Sequence, residues 1–194
     1  LNEMAKIDMA ATVAIADTCL AHKMNVDSLA LLNEGIAAAK AITTADQLWQ
    51  LNEDLYWAIR KANSSAADYR NFNSAIADAE VVLTGEYSPA IAGEIAALQT
   101  AIDAAKAIYT TATAARVELN EQRAVLSEAA ALVALDSCYI ILDELDEYIS
   151  ELDATDELGG YSGEMIAQLA ALSGEARTAV DNAYAGEMTA IDTR

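Results

Sequence analysis

The chain has 194 residues, of which 44 are alanine, one is proline and one is phenylalanine. Alanine is the best helix former and strand-favouring residues are scarce, so the sequence predicts an all-α protein. A hydrophobic fraction of 54% excludes a disordered chain. Acidic residues outnumber basic ones by 31 to 11, giving a formal net charge of −20. That field repels nucleic acid and anionic lipid, so neither is expected as a partner.

Membrane and export signals are weak. We found no run of 18 apolar residues, so we expect no membrane insertion in this segment. The chain begins at Leu1 and shows no signal peptide, which favours a trimmed segment whose targeting information lies elsewhere. Two cysteines, Cys19 and Cys138, are compatible with either redox compartment.

Helical periodicity predicts seven or eight helices. Their approximate limits are 2–23, 27–42, 45–63, 67–84, 89–109, 112–134, 137–153 and 162–185. The proposed breaks lie at Asn63-Ser64-Ser65, Tyr109–Thr113 and Leu135–Ser137. The second of these is weak, and a continuous helix through it would leave seven.

Apolar residues at helical spacing predict which faces point inward. The predicted inward residues are Met4, Ile7, Ala11, Ala14, Ile15, Thr18 and Cys19 in the first helix, Leu29, Leu32, Ile36 and Ala39 in the second, Leu48, Leu51, Leu55, Ile59 and Ala62 in the third, Phe72, Ile76, Ala79 and Leu83 in the fourth, and Ile141, Leu145, Ile149 and Leu152 in the seventh.

Several residues are typical of helix ends. Asn25 or Asp27 can cap the second helix, and Thr44 with Gln47 forms a capping box for the third. Ser88 followed by Pro89 is the clearest start signal, and Ser162 caps the last helix. Gly85 is expected to take a left-handed conformation at a helix C-terminus.

The sequence repeats itself. Gly85–Pro89 returns as Gly159–Gly163, and the pattern of residues 36–45 returns at 102–112. A period between 66 and 74 residues is typical of arrays of small helical modules. We therefore expect elongated, tandem three-helix-bundle repeats. The boundaries place a flanking helix at 1–24, three-helix units at 25–86 and 87–158, and a C-terminal flanking helix at 159–194.

The helix-loop-helix sequence pattern of these units resembles that of the FIVAR-type modules of bacterial surface and secreted proteins. Leu32, Ile36 and Ala39 carry the resemblance in one unit, and Tyr87-Ser88 with Leu98, Ile102 and Ala105 carry it in the next. The resemblance covers about two thirds of the chain. It implies a spacer or binding unit at the cell surface or outside the cell, and it implies no catalytic residues.

Signals for catalysis or metal binding are scarce. His22 is the only histidine, and helical-bundle metal sites usually need more than one. Cys19 and His22 lie on adjacent turns, which is better explained as a packed or solvated pair than as half of a metal site. The sequence contains no nucleophile elbow, phosphate loop, zinc-protease or CxxC motif. We expect no catalytic site, no metal and no cofactor.

The helix at 45–63 carries the candidate binding residues. Trp49, Tyr56, Trp57, Glu53 and Arg60 lie off its apolar stripe. Trp49 and Tyr56 are best explained by packing against a neighbouring helix. Trp57 lies opposite the stripe, and an exposed tryptophan beside charged groups suits a protein partner, a neighbouring module or a sugar ring.

Two functional hypotheses follow. The first is a non-enzymatic spacer or binding module of a bacterial cell-surface or secreted protein. The second is a carbohydrate-binding module that stacks a sugar on Trp49, Tyr56 and Trp57. They differ in whether Trp57 lines a groove or seals a contact between units.

Two structural expectations accompany these hypotheses. The tyrosines of the repeated loop, Tyr87 and Tyr161, should pack onto the first turn of the helix that follows. In an extended array Cys19 and Cys138 should be free thiols, because helices far apart in repeat order do not touch.

Overall fold

The computed structural model describes residues 3–42, 44, 47–152 and 161–192. Within these residues the fold is all-α, as the composition predicts. The six α-helices are α1 (Glu3–Cys19), α2 (Val26–Lys40), α3 (Leu48–Val82), α4 (Ala92–Thr111), α5 (Arg116–Glu151) and α6 (Gly163–Asp192), and a short 3-10 helix at Pro89–Ile91 leads into α4. The expectation of seven or eight helices is therefore wrong for the described chain, because two of the predicted breaks do not occur.

The first missing break is in α3, which runs through Asn63-Ser64-Ser65 without interruption. Each of the three polar side chains has a partner outside the helix. Cys19 Sγ lies 3.4 Å from Asn63 Oδ1, Arg116 Nη2 donates to Ser64 Oγ at 2.7 Å, and the Asn25 backbone N–H donates to Ser65 Oγ at 2.8 Å. Asn and Ser weaken helices mainly by competing for nearby backbone groups. Side chains engaged elsewhere do not compete, so the helix continues.

The second missing break is in α5, where Leu135–Ser137 lies inside a 36-residue helix. The stretch contains no Gly or Pro. One Asp and one Ser cost only tenths of a kcal/mol each in a helix interior, so they do not end an alanine- and leucine-rich run.

The third break is confirmed, because α4 ends at Thr111 and α5 begins at Arg116. Ala112 has a φ of 54°, the left-handed conformation that commonly follows a helix C-terminus and that glycine usually occupies. For alanine this conformation costs about 1–2 kcal/mol, so other contacts must hold it. The Val26 N–H provides one, donating to the Ala112 carbonyl at 2.8 Å.

Asn25 holds the rest of this connection. Of the two candidates that the sequence offered, Asn25 and Asp27, it is Asn25 that caps α2, with its Oδ1 accepting from the Asp27 N–H at 2.8 Å. Its Nδ2 donates to the carbonyls of Thr113 and Ala114, each at 2.9 Å. The buried Tyr69 hydroxyl donates to the Ala114 carbonyl at 3.0 Å, and burial raises the pKa of that hydroxyl. Together with the Val26 N–H, these groups give the carbonyls of residues 112–114 hydrogen-bond donors within the protein.

The chain divides into two compact units. Unit 1 comprises Leu1–Asp78 and Asp103–Ala124, and unit 2 comprises Ala79–Ile102 and Val125–Arg194. The unit limits fall within α3, α4 and α5, so each of these helices contributes residues to both units. The predicted assignment to units at 25–86 and 87–158 stays a prediction.

Unit 1 has the core that the apolar stripes of α2 and α3 predict. Leu32, Ile36 and Ala39 of α2 are buried with Leu55, Ile59 and Ala62 of α3, while Leu48 and Leu51 pack at the edge. The large side chains Tyr69 and Phe72 are fully buried further along α3. Leu29, which was predicted to point inward, is exposed.

The predicted inward face of α1 is wrong for four of the five predicted residues whose side chains are described, and Cys19 alone of these is buried as predicted. Among the described side chains of α1, those of Met9, Ala16 and Cys19 are buried, whereas Ile15 is 55% exposed. Ala11, Ala14 and Thr18 are also exposed, and the side chains of Met4 and Ile7 lie outside the described part. Alanine occurs on several sides of this helix, so its spacing does not mark one face.

In unit 2 the repeated loop has a different packing from the one predicted. Ser88 caps the following turn, accepting from the Ala90 N–H at 3.3 Å. Tyr87 packs backward, however, and its hydroxyl donates to the Val82 carbonyl at 2.5 Å. A Cβ on Gly85 would lie 2.6 Å from the Tyr87 ring, so glycine is needed here for this close approach. The expected left-handed conformation of Gly85 is not adopted.

The second copy of the loop is described only in part. Ser162 caps α6 as predicted, with its Oγ accepting from the Met165 N–H at 3.2 Å. The Tyr161 side chain is hydrogen-bonded to Tyr148, which raises the pKa of Tyr148. Gly159 and Gly160 lie outside the described residues. Residues 45 and 46, the central residues of the capping box predicted before α3, also lie outside them.

Helices α5 and α6 are joined by a polar cluster in unit 2. The Ser173 hydroxyl donates to Asp146 at 2.5 Å, and Arg177 Nη2 lies 2.8 Å from both Asp143 and Asp146. These contacts lower the pKa of Asp146, the Ser173 hydrogen bond most and the Arg177 guanidinium next. Ile141 was predicted to point inward and is 60% exposed, while the adjacent Leu142 is buried.

Helix α5 is also the one described helix long and apolar enough to cross a membrane by length and composition. Its most apolar 18-residue window has a mean hydropathy of 1.8, and 17% of that window is buried. One such helix is weak evidence, and the expectation of no membrane insertion stays a prediction.

Both cysteines are free thiols, as predicted. Cys19 is buried in unit 1 and Cys138 is exposed in unit 2.

Asn25 should be a major determinant of stability in unit 1. Replacing it with Ala removes the cap and leaves the Thr113 carbonyl without its donor, while the Ala114 carbonyl keeps only the Tyr69 hydroxyl, so we expect a loss of about 2–4 kcal/mol in urea unfolding. Asn25→Asp keeps an oxygen for the Asp27 N–H but loses the Nδ2 donors, and should also be destabilising. The control Asn33→Ala changes an exposed residue of α2 and should alter stability by less than about 0.5 kcal/mol. Equal stability of the Asn25 and Asn33 variants would contradict this role.

The Asp146 cluster should make the stability of unit 2 depend on pH. A carboxyl with a lowered folded pKa stabilises above its unfolded value of about 3.9, and the contribution disappears as the pH falls through the folded pKa. Asp146→Asn should therefore destabilise the protein at pH 7 and have a smaller effect at pH 2.5. Glu175→Gln, on the exposed surface of α6, is the control. A destabilisation by Asp146→Asn that is equal at both pH values would show that charge is not involved.

Candidate functional site

The predicted aromatic residues lie in the first half of α3 and are exposed. Trp49 is 72% exposed, Tyr56 50% and Trp57 54%. Trp49 and Tyr56 were expected to pack against a neighbouring helix, and both are instead among the exposed large side chains. The apolar stripe of α3 is fully used by the unit 1 core, and these side chains lie away from it.

Three of the predicted residues form a cluster. The Tyr56 and Trp57 rings meet edge to face with centroids 6.3 Å apart. The Arg60 guanidinium carbon lies 5.2 Å from the Trp57 centroid and 6.0 Å from that of Tyr56. Cation–π contacts of this kind favour one position of the indole ring over free rotation. Glu53, which precedes these residues on α3, is half-buried. Among the described residues, no ring contact joins Trp49 to the cluster.

Trp57 also lines a groove between α2 and α3 in unit 1. The groove has a volume of about 360 Å³. We call it the Trp57 groove; its lining is Leu31, Glu34, Gly35, Ala38, Leu51, Asp54, Trp57, Ala58 and Lys61. Trp57 thus lines a groove, which is one of the two alternatives that the sequence left open for this side chain.

Small residues make the groove possible. A Cβ on Gly35 would lie 3.2 Å from the Leu55 side chain and 3.7 Å from the Ala58 Cβ, so α2 and α3 approach closely at this point. Ala38 and Ala58 add little bulk beside Gly35. The close approach of α2 and α3 at Gly35 and the large indole of Trp57 both contribute to the lining of the groove.

The polar lining of the groove consists of Glu34, Asp54 and Lys61. Gln50 Nε2 donates to Asp54 Oδ1 at 2.8 Å, which fixes the carboxylate while leaving it further acceptor capacity. The groove therefore offers an apolar ring together with acceptors and one ammonium donor. Sequence reasoning identified Trp57 but missed Glu34, Gly35 and Ala38, since the proximity of these three residues to Trp57 depends on how α2 packs on α3.

His22 and Cys19 do not form a site together. The Cys19 thiol is directed within unit 1 toward the Ile15 carbonyl and Asn63, each at 3.4 Å, whereas His22 is exposed. Among the described residues, no group of three or more His, Cys, Asp or Glu side chains is placed to hold a metal ion.

Comparisons with known proteins give no further guidance. No family model matches the chain, and neither the curated proteins nor the solved structures contain a match. The assignment of a function therefore depends on the geometry of the site.

Proposed function

We propose that this chain is a non-enzymatic helical binding module of a bacterial cell-surface or secreted protein, and that its ligand is a neutral carbohydrate held in the Trp57 groove. The observation that carries the proposal is the exposed indole of Trp57 lining a concave surface. An aromatic ring that is not needed for the core and lies in a groove is typical of a ligand contact.

The chemistry of the groove suits a sugar. The apolar C–H face of a sugar ring stacks on an indole, and its hydroxyls donate to carboxylates such as Glu34 and Asp54 and accept from Lys61. A volume of about 360 Å³ is near the lower end of small-ligand sites, roughly 300–1,000 Å³, and suits one or two sugar rings. The net charge of −20 favours a neutral sugar over an acidic one at this carboxylate-lined site.

The proposal also includes the arrangement of helical repeats that would carry the Trp57 groove. Tandem three-helix-bundle repeats, similar to FIVAR-type modules, would present the groove on a spacer outside the cell. The sequence repeat supports this, since Ser88 and Ser162 each cap a helix after a Tyr-Ser pair. The alternative is a spacer with no ligand of its own. Titration with oligosaccharides distinguishes a spacer from a binding module.

Nuclear magnetic resonance can test the groove directly, because the protein has only two indole N–H signals. We expect at least one of cellohexaose, chitohexaose and maltohexaose to shift the Trp57 signal and leave the Trp49 signal unchanged. Trp57→Ala should weaken that binding at least tenfold, since stacking and buried apolar area contribute about 1.5 kcal/mol or more.

Trp49→Ala is the matched control, because it removes a more exposed tryptophan from the same helix outside the groove. Its affinity should stay within about twofold of the unmodified protein. Equal losses in the two variants, or no shift of Trp57 by any of the three sugars, would contradict carbohydrate binding in the groove and favour the spacer.

A further inference from the structure

A second pocket in unit 1 differs from the rest of the protein in charge. It has a volume of about 220 Å³ and lies where the segment after α1 meets α3 and α4. His22, Lys23 and Arg70 line it together with Asn73 and Tyr109, and its described lining includes no Asp or Glu. We call it the cationic pocket. With 31 acidic residues against 11 basic ones, a pocket containing the only histidine, a lysine and an arginine without a carboxylate is unusual.

The Lys23 ammonium is held in place by its neighbours. Nζ donates to the Thr110 carbonyl at 3.1 Å and lies 5.6 Å from the centre of the Tyr109 ring. Tyr109 in turn packs against the buried Tyr69, with ring centroids 6.1 Å apart. An ammonium has three N–H groups, so two stay available beyond the bond to Thr110. Holding the side chain in advance lowers the entropy cost of binding a ligand.

Arg70 is available to a ligand for a different reason. Its guanidinium makes no ion pair or side-chain hydrogen bond within the ranges that the structure describes, whereas Arg116 is bonded to Asp68 and Arg177 to Asp143 and Asp146. Arg70 therefore carries a fork of five donors into a pocket that already contains Lys23. The Asn73 amide and the Tyr109 hydroxyl add neutral donors.

We propose that the cationic pocket is a binding site for a small oxyanion, a phosphate or sulfate group. Charge-assisted hydrogen bonds from arginine and lysine are the strongest that a protein offers to such a group. The volume of about 220 Å³ is below the usual range for larger organic ligands, roughly 300–1,000 Å³, and suits a single anionic group. The net charge of −20 opposes long polyanions, so the group belongs to a small molecule or to one substituent of a sugar.

The proposal is independent of the carbohydrate groove, because the two linings share no residue. Failure of either proposal leaves the other standing.

The test is a titration of the full chain with sodium phosphate, sodium sulfate and sodium acetate at constant ionic strength. The His22 ring and the Asn73 amide are followed by nuclear magnetic resonance, and His22 is unambiguous because it is the only histidine. We expect saturable shifts at both residues with phosphate, with sulfate or with both, and weaker ones with planar acetate. Saturation by one anion alone identifies which kind of group the site takes. Equal shifts with all three salts would overturn the proposal.

Two variants of equal net charge separate the pocket from the general field of the protein. Arg70→Gln should weaken anion binding about tenfold or more, since a hydrogen bond to a charged group is lost. Arg123→Gln removes an exposed arginine of unit 1 outside the pocket and should change the affinity less than about twofold. His22→Gln, read at the Asn73 amide, should also weaken binding. Equal effects of Arg70→Gln and Arg123→Gln would overturn the proposal.

Discussion

The structure of unit 1 depends on one buried amide. The Asn25 side chain starts α2 with its oxygen and holds the carbonyls of Thr113 and Ala114 with its nitrogen. Its own backbone N–H donates to Ser65 in the middle of α3. A connection that includes a left-handed alanine and the buried Ala114 carbonyl would be unfavourable on its own, and these bonds offset that cost. Three segments distant in sequence are thus fixed by a single residue.

Both candidate sites lie along the helix that this arrangement fixes. The Trp57 groove uses residues of α3 on the N-terminal side of Ser65, and the cationic pocket uses Arg70 and Asn73 on the C-terminal side. A break in α3 at residues 63–65 would let the two groups of residues move independently. The continuous helix instead keeps each group in a fixed relation to the core residues Leu55 and Phe72. The polar stretch is therefore part of the structural support for both sites.

The sequence predicted much of this fold where its pattern has one interpretation. Alanine content gave the all-α class, and the stripes of α2 and α3 gave the unit 1 core. Ser88 and Ser162 were recognised as caps, and Asn25 was one of two candidates for the cap of α2. The sequence-based predictions were wrong where contacts with distant residues override a local sequence signal. Asn63-Ser64-Ser65 is a helix breaker only if its side chains lack distant partners, and those partners are up to 52 residues away in sequence. The inward face predicted for α1 was mostly wrong because alanine lies on several sides of this helix. Trp57 was found from its angular position, while the groove and the cationic pocket depend on packing that no single helix reveals.

Amide hydrogen exchange in the native state tests most directly whether α3 is continuous through residues 63–65. If the helix is continuous, the amides of residues 66–69 are bonded to carbonyls one turn earlier and should be as protected as those of residues 55–62. If a break existed at 63–65, these four amides would be the unbonded first turn of a second helix and would exchange quickly. Uniform protection from 55 to 69 is the result that we predict. Rapid exchange confined to residues 63–69 would contradict the role assigned to Asn25, Asn63, Ser64 and Ser65.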